Sequence, residues 1–250
     1  MTAPHEAWLL QPGRVPYRPA WAAQQRLAAA RAEGRIPDVL ILLEHPHTFT
    51  LGRKGDPANI LADEDTLRRL GVEVVAIDRG GDVTYHGPGQ IVGYPILDLA
   101  PRGGDVHQYL RDLEEVNVRA LARFGIDARP GLEPPYTGAW VGEDKIAAIG
   151  VKVRQGITQH GFALNVNTDL RYFELIVPCG IRDKGVTSMA RVLGCPLDLQ
   201  AVAAAVREAF ADLFAVELRP VPWEEALAAA GDGPAVASGS EAGARTRAGG

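Results

Sequence analysis

Apolar residues recur along this chain with two periods, and the switches between them mark out its elements. Val39-Leu-Ile-Leu-Leu43 is an unbroken apolar run, the pattern of a strand buried on both faces. Val72–Ile77 and Ile91–Leu97 also read as strands, with Trp8-Leu9-Leu10 as a short first one and His160–Asn165 and Val216–Arg219 as later ones. Helical spacing takes over in Asp105–Phe124. There Val106, Leu110, Leu113, Val116, Val118, Leu121 and Phe124 recur until Gly125 ends the pattern, so one apolar stripe faces a core. Pro19–Glu33, stopped by Gly34, and Ala62–Leu70, closed by Gly71, predict two more helices. So do the alanine-rich Leu199–Phe214 and the final Trp223–Ala230. Trp140-Val141 turns through Gly142-Glu-Asp-Lys145 into Ile146–Val153, which predicts an antiparallel hairpin. No regular strand–helix–strand alternation runs through the chain. The expectation is therefore an α+β fold: a single domain with a mixed, largely antiparallel β-sheet flanked by helices.

That domain is expected to span residues 1–230. Residues 231–250 are dominated by Gly, Ala, Ser, Thr and Arg. They offer no large apolar side chain for a core, so a disordered tail is expected. The remaining composition changes little: 46% hydrophobic, 23% charged and a net charge of -5 over 250 residues describe an ordinary globular protein. No general basic footprint for nucleic acid exists. Two cysteines, Cys179 and Cys195, are too few for a disulfide scaffold and fit a reducing compartment. The N-terminal segment lacks the apolar core of a signal peptide, and no run has the length that spans a bilayer. A cytoplasmic protein with no membrane partner is the expectation.

Chemistry gathers first in Arg79-Gly-Gly-Asp-Val-Thr-Tyr-His-Gly-Pro-Gly-Gln90, between two predicted strands. Its four glycines let backbone lie close to a bound molecule, and Arg79, Asp82, Thr84, Tyr85, His86 and Gln90 sit beside them. It reads as a loop, with room for a short hairpin, and polar loop clusters favour a site over a bland connector. Cys179 lies between Pro178 and Gly180, where regular structure is disfavoured and a backbone amide can be aimed. A buried structural cysteine is the competing reading, and Cys195, before Pro196, is read that way. A cysteine nucleophile needs a base or a cation to become thiolate; His86, His45, His160, Lys145 and Lys152 are the candidates. Strand parity puts Lys145 on one face with Ala147, Ile149, Val151 and Val153. On that apolar face desolvation would lower its pKa, although a solvated turn lysine fits equally well. Ala148 and Gly150, with Gly161-Phe-Ala163, leave room for a flexible apolar substrate and supply backbone N–H groups. Six scattered histidines give no zinc spacing, and no phosphate loop or dinucleotide fingerprint is present.

Taken together these segments resemble the lipoyl(octanoyl) transferases, a branch of the biotin/lipoate protein ligase fold. The resemblance rests on Arg79–Gln90, Lys145-Ile-Ala-Ala-Ile-Gly150, His160-Gly-Phe-Ala-Leu-Asn165 and Pro178-Cys-Gly-Ile181 with Val186-Thr-Ser188. Glu44-His-Pro46 and Thr50-Leu-Gly-Arg53 upstream fit as well. It implies that Cys179 is the acyl-thioester nucleophile and that Lys145 lowers its pKa. Arg79, Gly80, Gly81, Asp82, Val83, Thr84, Tyr85 and His86 would bind substrate, together with Ala148, Ile149, Gly150, Gly161, Phe162 and Ala163. The reaction implied moves an octanoyl group from octanoyl-acyl carrier protein to a lysine of a lipoyl domain. Acceptors would be 2-oxoacid dehydrogenases and the glycine cleavage H protein, with no ATP, metal or other cofactor. Two competitors stay open: an ATP-dependent lipoate or biotin ligase, and a non-catalytic module that binds lipoyl domains or acyl carrier protein. A thiol hydrolase with His86 as partner is a more distant one.

Overall fold

The structure is a computed structural model that describes residues 5–131, 136–177 and 184–231. From its start, β1 (His5–Arg14) leads to α1 (Tyr17–Ala32), β2 (Asp38–Glu44) and β3 (Thr48–Leu51). Then come α2 (Glu64–Leu70), β4 (Glu73–Ala76), β5 (Val83–His86) and β6 (Gln90–Ile96). The middle holds α3 (Val106–Ala122), β7 (Arg129–Pro130), β8 (Gly138–Val141), β9 (Asp144–Arg154) and β10 (Ile157–Asn165). After β11 (Gly185–Val186) come α4 (Met189–Leu193), α5 (Leu199–Phe214), β12 (Val216–Pro220) and α6 (Trp223–Ala230). No helix among the described residues is long and apolar enough to cross a membrane.

The main sheet runs β12-β1-β2-β6-β10-β9-β8-β7, with β11 against β9. Only β1 with β12, β1 with β2, and β11 with β9 are parallel. The expected mixed, largely antiparallel sheet is therefore present, with helices on both faces. The apolar run in β2 is explained by two-sided burial: Leu40 and Leu42 enter one core, Val39, Ile41 and Leu43 the other. The first core lies under α3 and α5, whose Leu113, Val116, Leu121, Val206 and Phe210 are fully buried. The second lies under α1 and α6, around Leu27, Ala28 and Ala226. On α3 the packed stripe begins at Tyr109 and Leu113, not at Val106 and Leu110, which stay partly exposed.

A second, three-stranded sheet of order β4-β3-β5 stands beside the first. One of its strands, β3, was not expected, and β5 lies in the loop that left room for a short hairpin. Thr48–Leu51, in the polar segment after the apolar run 39–43, is β3, because its threonines are buried with partners. Thr48 Oγ1 donates to Pro46 O at 2.9 Å, and Thr50 accepts from Arg79. Val83–His86, which reads as part of a glycine-rich loop, is β5 and pairs antiparallel with β3. Val83 and Tyr85 turn into this sheet's own small core with Phe49 and Ile176, and Thr84 and His86 take the opposite face.

Candidate active site

Between the two sheets lies a cavity of about 560 Å³, within the size range of small-molecule sites. One wall is the segment ahead of β5. Arg79 is buried: its Nη2 donates to both O and Oγ1 of Thr50 at 2.9 Å, and its Nη1 to Gly80 O at 3.0 Å. Backbone bonds lace this wall to the turn after β3, from Gly52 N to Asp82 O, Arg53 N to Arg79 O and Lys54 N to Gly81 O. A Cβ on Gly52 would lie 2.4 Å from Gly81 O and 2.8 Å from Arg79 Nη1, so only glycine permits this approach. Asp82 is likewise tied down, accepting from Asp56 N at 3.1 Å and Asn59 Nδ2 at 2.5 Å. The charges of Arg79 and Asp82 thus hold the wall in shape.

The floor is built by β9 and β10. Ala148 stands opposite Ala163 and Gly150 opposite Gly161 in the antiparallel ladder, so small residues meet in pairs and leave room above them. Of the residues expected to bind substrate, Arg79, Gly80, Gly81, Asp82, Thr84 and His86 line the cavity. So do Ala148, Ile149, Gly150, Gly161, Phe162 and Ala163. Val83 and Tyr85 are not among the lining residues; strand alternation sends them into the core behind. Lys145 does line it, but not by the parity expected. The β8–β9 register shifts between Ala139 and Trp140, leaving Ile146 as the extra residue of a bulge. Ile146 and Ala147 consequently both enter the core, and Lys145 is carried to the cavity with Ala148. Its Nζ stands 4.9 Å from the centre of the Trp140 ring, a cation–π distance. Cys179 lies outside the described residues. The described chain resumes at Lys184, and Lys184, Gly185 and Val186 line a recess shared with Lys145, Thr84, Ala148 and Ala163. Cys195, read as structural, is exposed.

The other candidate bases are engaged elsewhere. His45 uses both ring nitrogens, at 2.6 Å from Val15 O and 2.8 Å from the Tyr94 hydroxyl, and burial lowers its pKa to about 4. Lys152 Nζ and His160 Nε2 share the Asp78 carboxylate, at 2.5 and 2.9 Å. His160 contributes to the cavity wall; it adopts φ +58° and its N–H donates to Gln24 of α1. His86 lines the cavity as well. Burial first, then the neighbouring His45, pushes its pKa well below the usual histidine value. Its Nδ1 is 2.9 Å from Gln90 Oε1. Gln90 Nε2 donates to Tyr85 O and Asn165 Oδ1, so the carbonyl end faces His86 and His86 Nδ1 carries the proton. The lone pair is on Nε2.

Tyr17 and Tyr94, not among the residues expected from the sequence, also line the cavity. Tyr17 stacks on His86 at 5.5 Å, and burial pushes its phenol up to about 12. Tyr94, a hydroxyl inside an otherwise apolar strand, was the available signal; Tyr17 at a helix start offered none. Lys54, Thr137, Val106, Leu110 and Val151 complete the lining.

A family model described as the lipoyl protein ligase A/B catalytic domain matches residues 16–211. An octanoyltransferase of Rubrobacter xylanophilus is 53% identical over 205 residues, covering 81% of this chain and 91% of that protein. One of Solibacter usitatus is 52% identical over 212 residues, covering 85% and 94%. Among solved structures, a lipoate-protein ligase A bound with ATP has a TM-score of 0.67 at 22% identity, over 90% of this chain and 92% of that one. A bipartite lipoate protein ligase of Thermoplasma acidophilum has a TM-score of 0.68 at 20% identity, over 90% and 91%. These structures share the fold.

Proposed function

The chain belongs to the family of lipoyl protein ligase A/B catalytic domains, and from that premise we propose the route by which it moves an octanoyl group in protein lipoylation. It is an acyltransferase, as its relatives at about half identity are, and lipoyl domains are its acceptors. The donor is octanoyl-acyl carrier protein, and Cys179 carries the acyl group between the two. The acceptors include the lipoyl domains of 2-oxoacid dehydrogenases and the glycine cleavage H protein. What supports this reading most is one convergence. The wall Arg79–Asp82, the small-residue floor of β9 and β10, and Lys145 all line one cavity.

A thioester donor is already activated, so no nucleotide is consumed. Lys145 takes the proton of Cys179, and the thiolate attacks the thioester carbonyl. The carbon–sulfur bond to the donor breaks, and the departing thiolate recovers the proton from Lys145. Backbone N–H groups around Gly150 hold the oxyanion. In the second half, the lysine amine of the acceptor attacks the acyl-enzyme, and Lys145 passes an amine proton to the leaving Cys179 sulfur as the amide forms. The donor leaves before the acceptor reacts. Initial rates measured at several concentrations of each substrate should therefore give parallel double-reciprocal lines; lines that intersect would require a ternary complex and contradict the route.

A further inference from the structure

One chain of hydrogen bonds behind the cavity has no part in the route above. Gln90 (1% exposed) receives the His86 Nδ1 proton, and its Nε2 donates to Asn165 Oδ1 at 2.9 Å. Asn165 (4% exposed) donates from Nδ2 to Thr187 O at 3.1 Å. Thr187 N in turn donates to Lys145 O at 3.0 Å. A buried amide pair with every polar group engaged is worth more than its separate bonds, because nothing else inside can satisfy those groups.

The position of this chain gives it a purpose. The β9–β10 ladder ends at the pair Ala147–Leu164, so β10 does not reach Lys145. On its other side Lys145 borders the bulge, where the ladder to β8 is disturbed. Lys145 is paired there with Trp140 of β8, and on the side that β10 does not reach it is flanked by β11, two residues long, which pairs Val186 with Lys145. So short a strand has little ladder of its own, and Asn165, the last residue of β10, reaches across to hold it.

We propose that Gln90 and Asn165 are positioning residues for acyl transfer, fixing segment 185–187 against Lys145 and so setting where its Nζ stands in the cavity. This rests on the role given to Lys145 above. The test is a double-mutant cycle on the full chain: Asn165→Ala and Asn165→Asp, each with Lys145 intact and with Lys145→Ala. Asn165→Asp keeps the acceptor for Gln90 and nearly the same volume but has no N–H for Thr187 O, so it serves if the alanine variant fails to fold. With Lys145 intact, each should slow octanoyl transfer by about tenfold, within the range of coupled neighbours, and move the acid limb of the pH–rate profile to higher pH. With Lys145→Ala, each should cost less than about twofold, since a residue acting through Lys145 has nothing left to position. Equal losses in both backgrounds, or none with Lys145 intact, would overturn the assignment. A Lys145→Ala protein as fast as the parent would instead remove the role of Lys145, and this assignment would fall with it.

Discussion

The rings of His45 and His86 stand 5.6 Å apart inside the protein, and burial keeps both neutral. An imidazole held near pKa 4 in the fold but titrating near 6.5 when unfolded binds its proton more readily in the unfolded chain. Stability from His45 is therefore complete above pH 6.5 and is lost as the pH falls toward 4, about 3 kcal/mol in all. His86 and His160 are shifted the same way and add to the trend. Urea unfolding at pH 7.5 and at pH 5 should show a clear loss of stability at the lower pH; equal midpoints would contradict the neutral, buried state of these rings. The role proposed for Lys145 concerns reactivity instead. Removing a cation beside a thiol raises the thiol pKa. Lys145→Ala should thus slow acyl transfer by about 10²–10⁴-fold and shift the acid limb of its pH–rate profile upward. An unshifted profile would deny Lys145 that role.

At the level of elements, legibility followed how each segment satisfies its polar groups. β2 was legible because both faces are apolar, and α3 because its buried stripe keeps helical spacing. The strands β3 and β5 were not, because polar Thr48, Thr50, Thr84 and His86 occupy their positions and face one another only across the ladder, Thr48 opposite His86 and Thr50 opposite Thr84. Thr50, for instance, is satisfied by Arg79, which no local pattern announces. Parity failed at Lys145 for a similar reason: the bulge at Ile146 is a property of the β8–β9 pair, not of β9 alone. The turn after β3 carries a prediction of its own. Gly52→Ala would force the Gly81 carbonyl and the Arg79 guanidinium away from a new Cβ. It should destabilise the fold by about 1–3 kcal/mol, as overpacking does, and lower octanoyl transfer with it. A variant with the parent's unfolding midpoint and rate would show that this wall is not tightly built.

Over the described residues of the whole molecule, the motifs around Arg79, Lys145 and His160 meet because the β9–β10 hairpin supplies the floor and the small sheet supplies the wall. The residues that identified the family were legible as glycine spacing and polar clusters. How they face was not: Val83 and Tyr85 read as part of the site yet pack behind it, and Tyr17 joins the lining from the start of α1. The covalent transfer through Cys179 proposed above is tested by intact-mass analysis after mixing the protein with octanoyl-acyl carrier protein and no acceptor. An adduct of one octanoyl group is expected on the parent protein, released on adding a lipoyl domain, and none on Cys179→Ser. An adduct that persists in Cys179→Ser, or transfer to the lipoyl domain at the parent's rate without that cysteine, would contradict it.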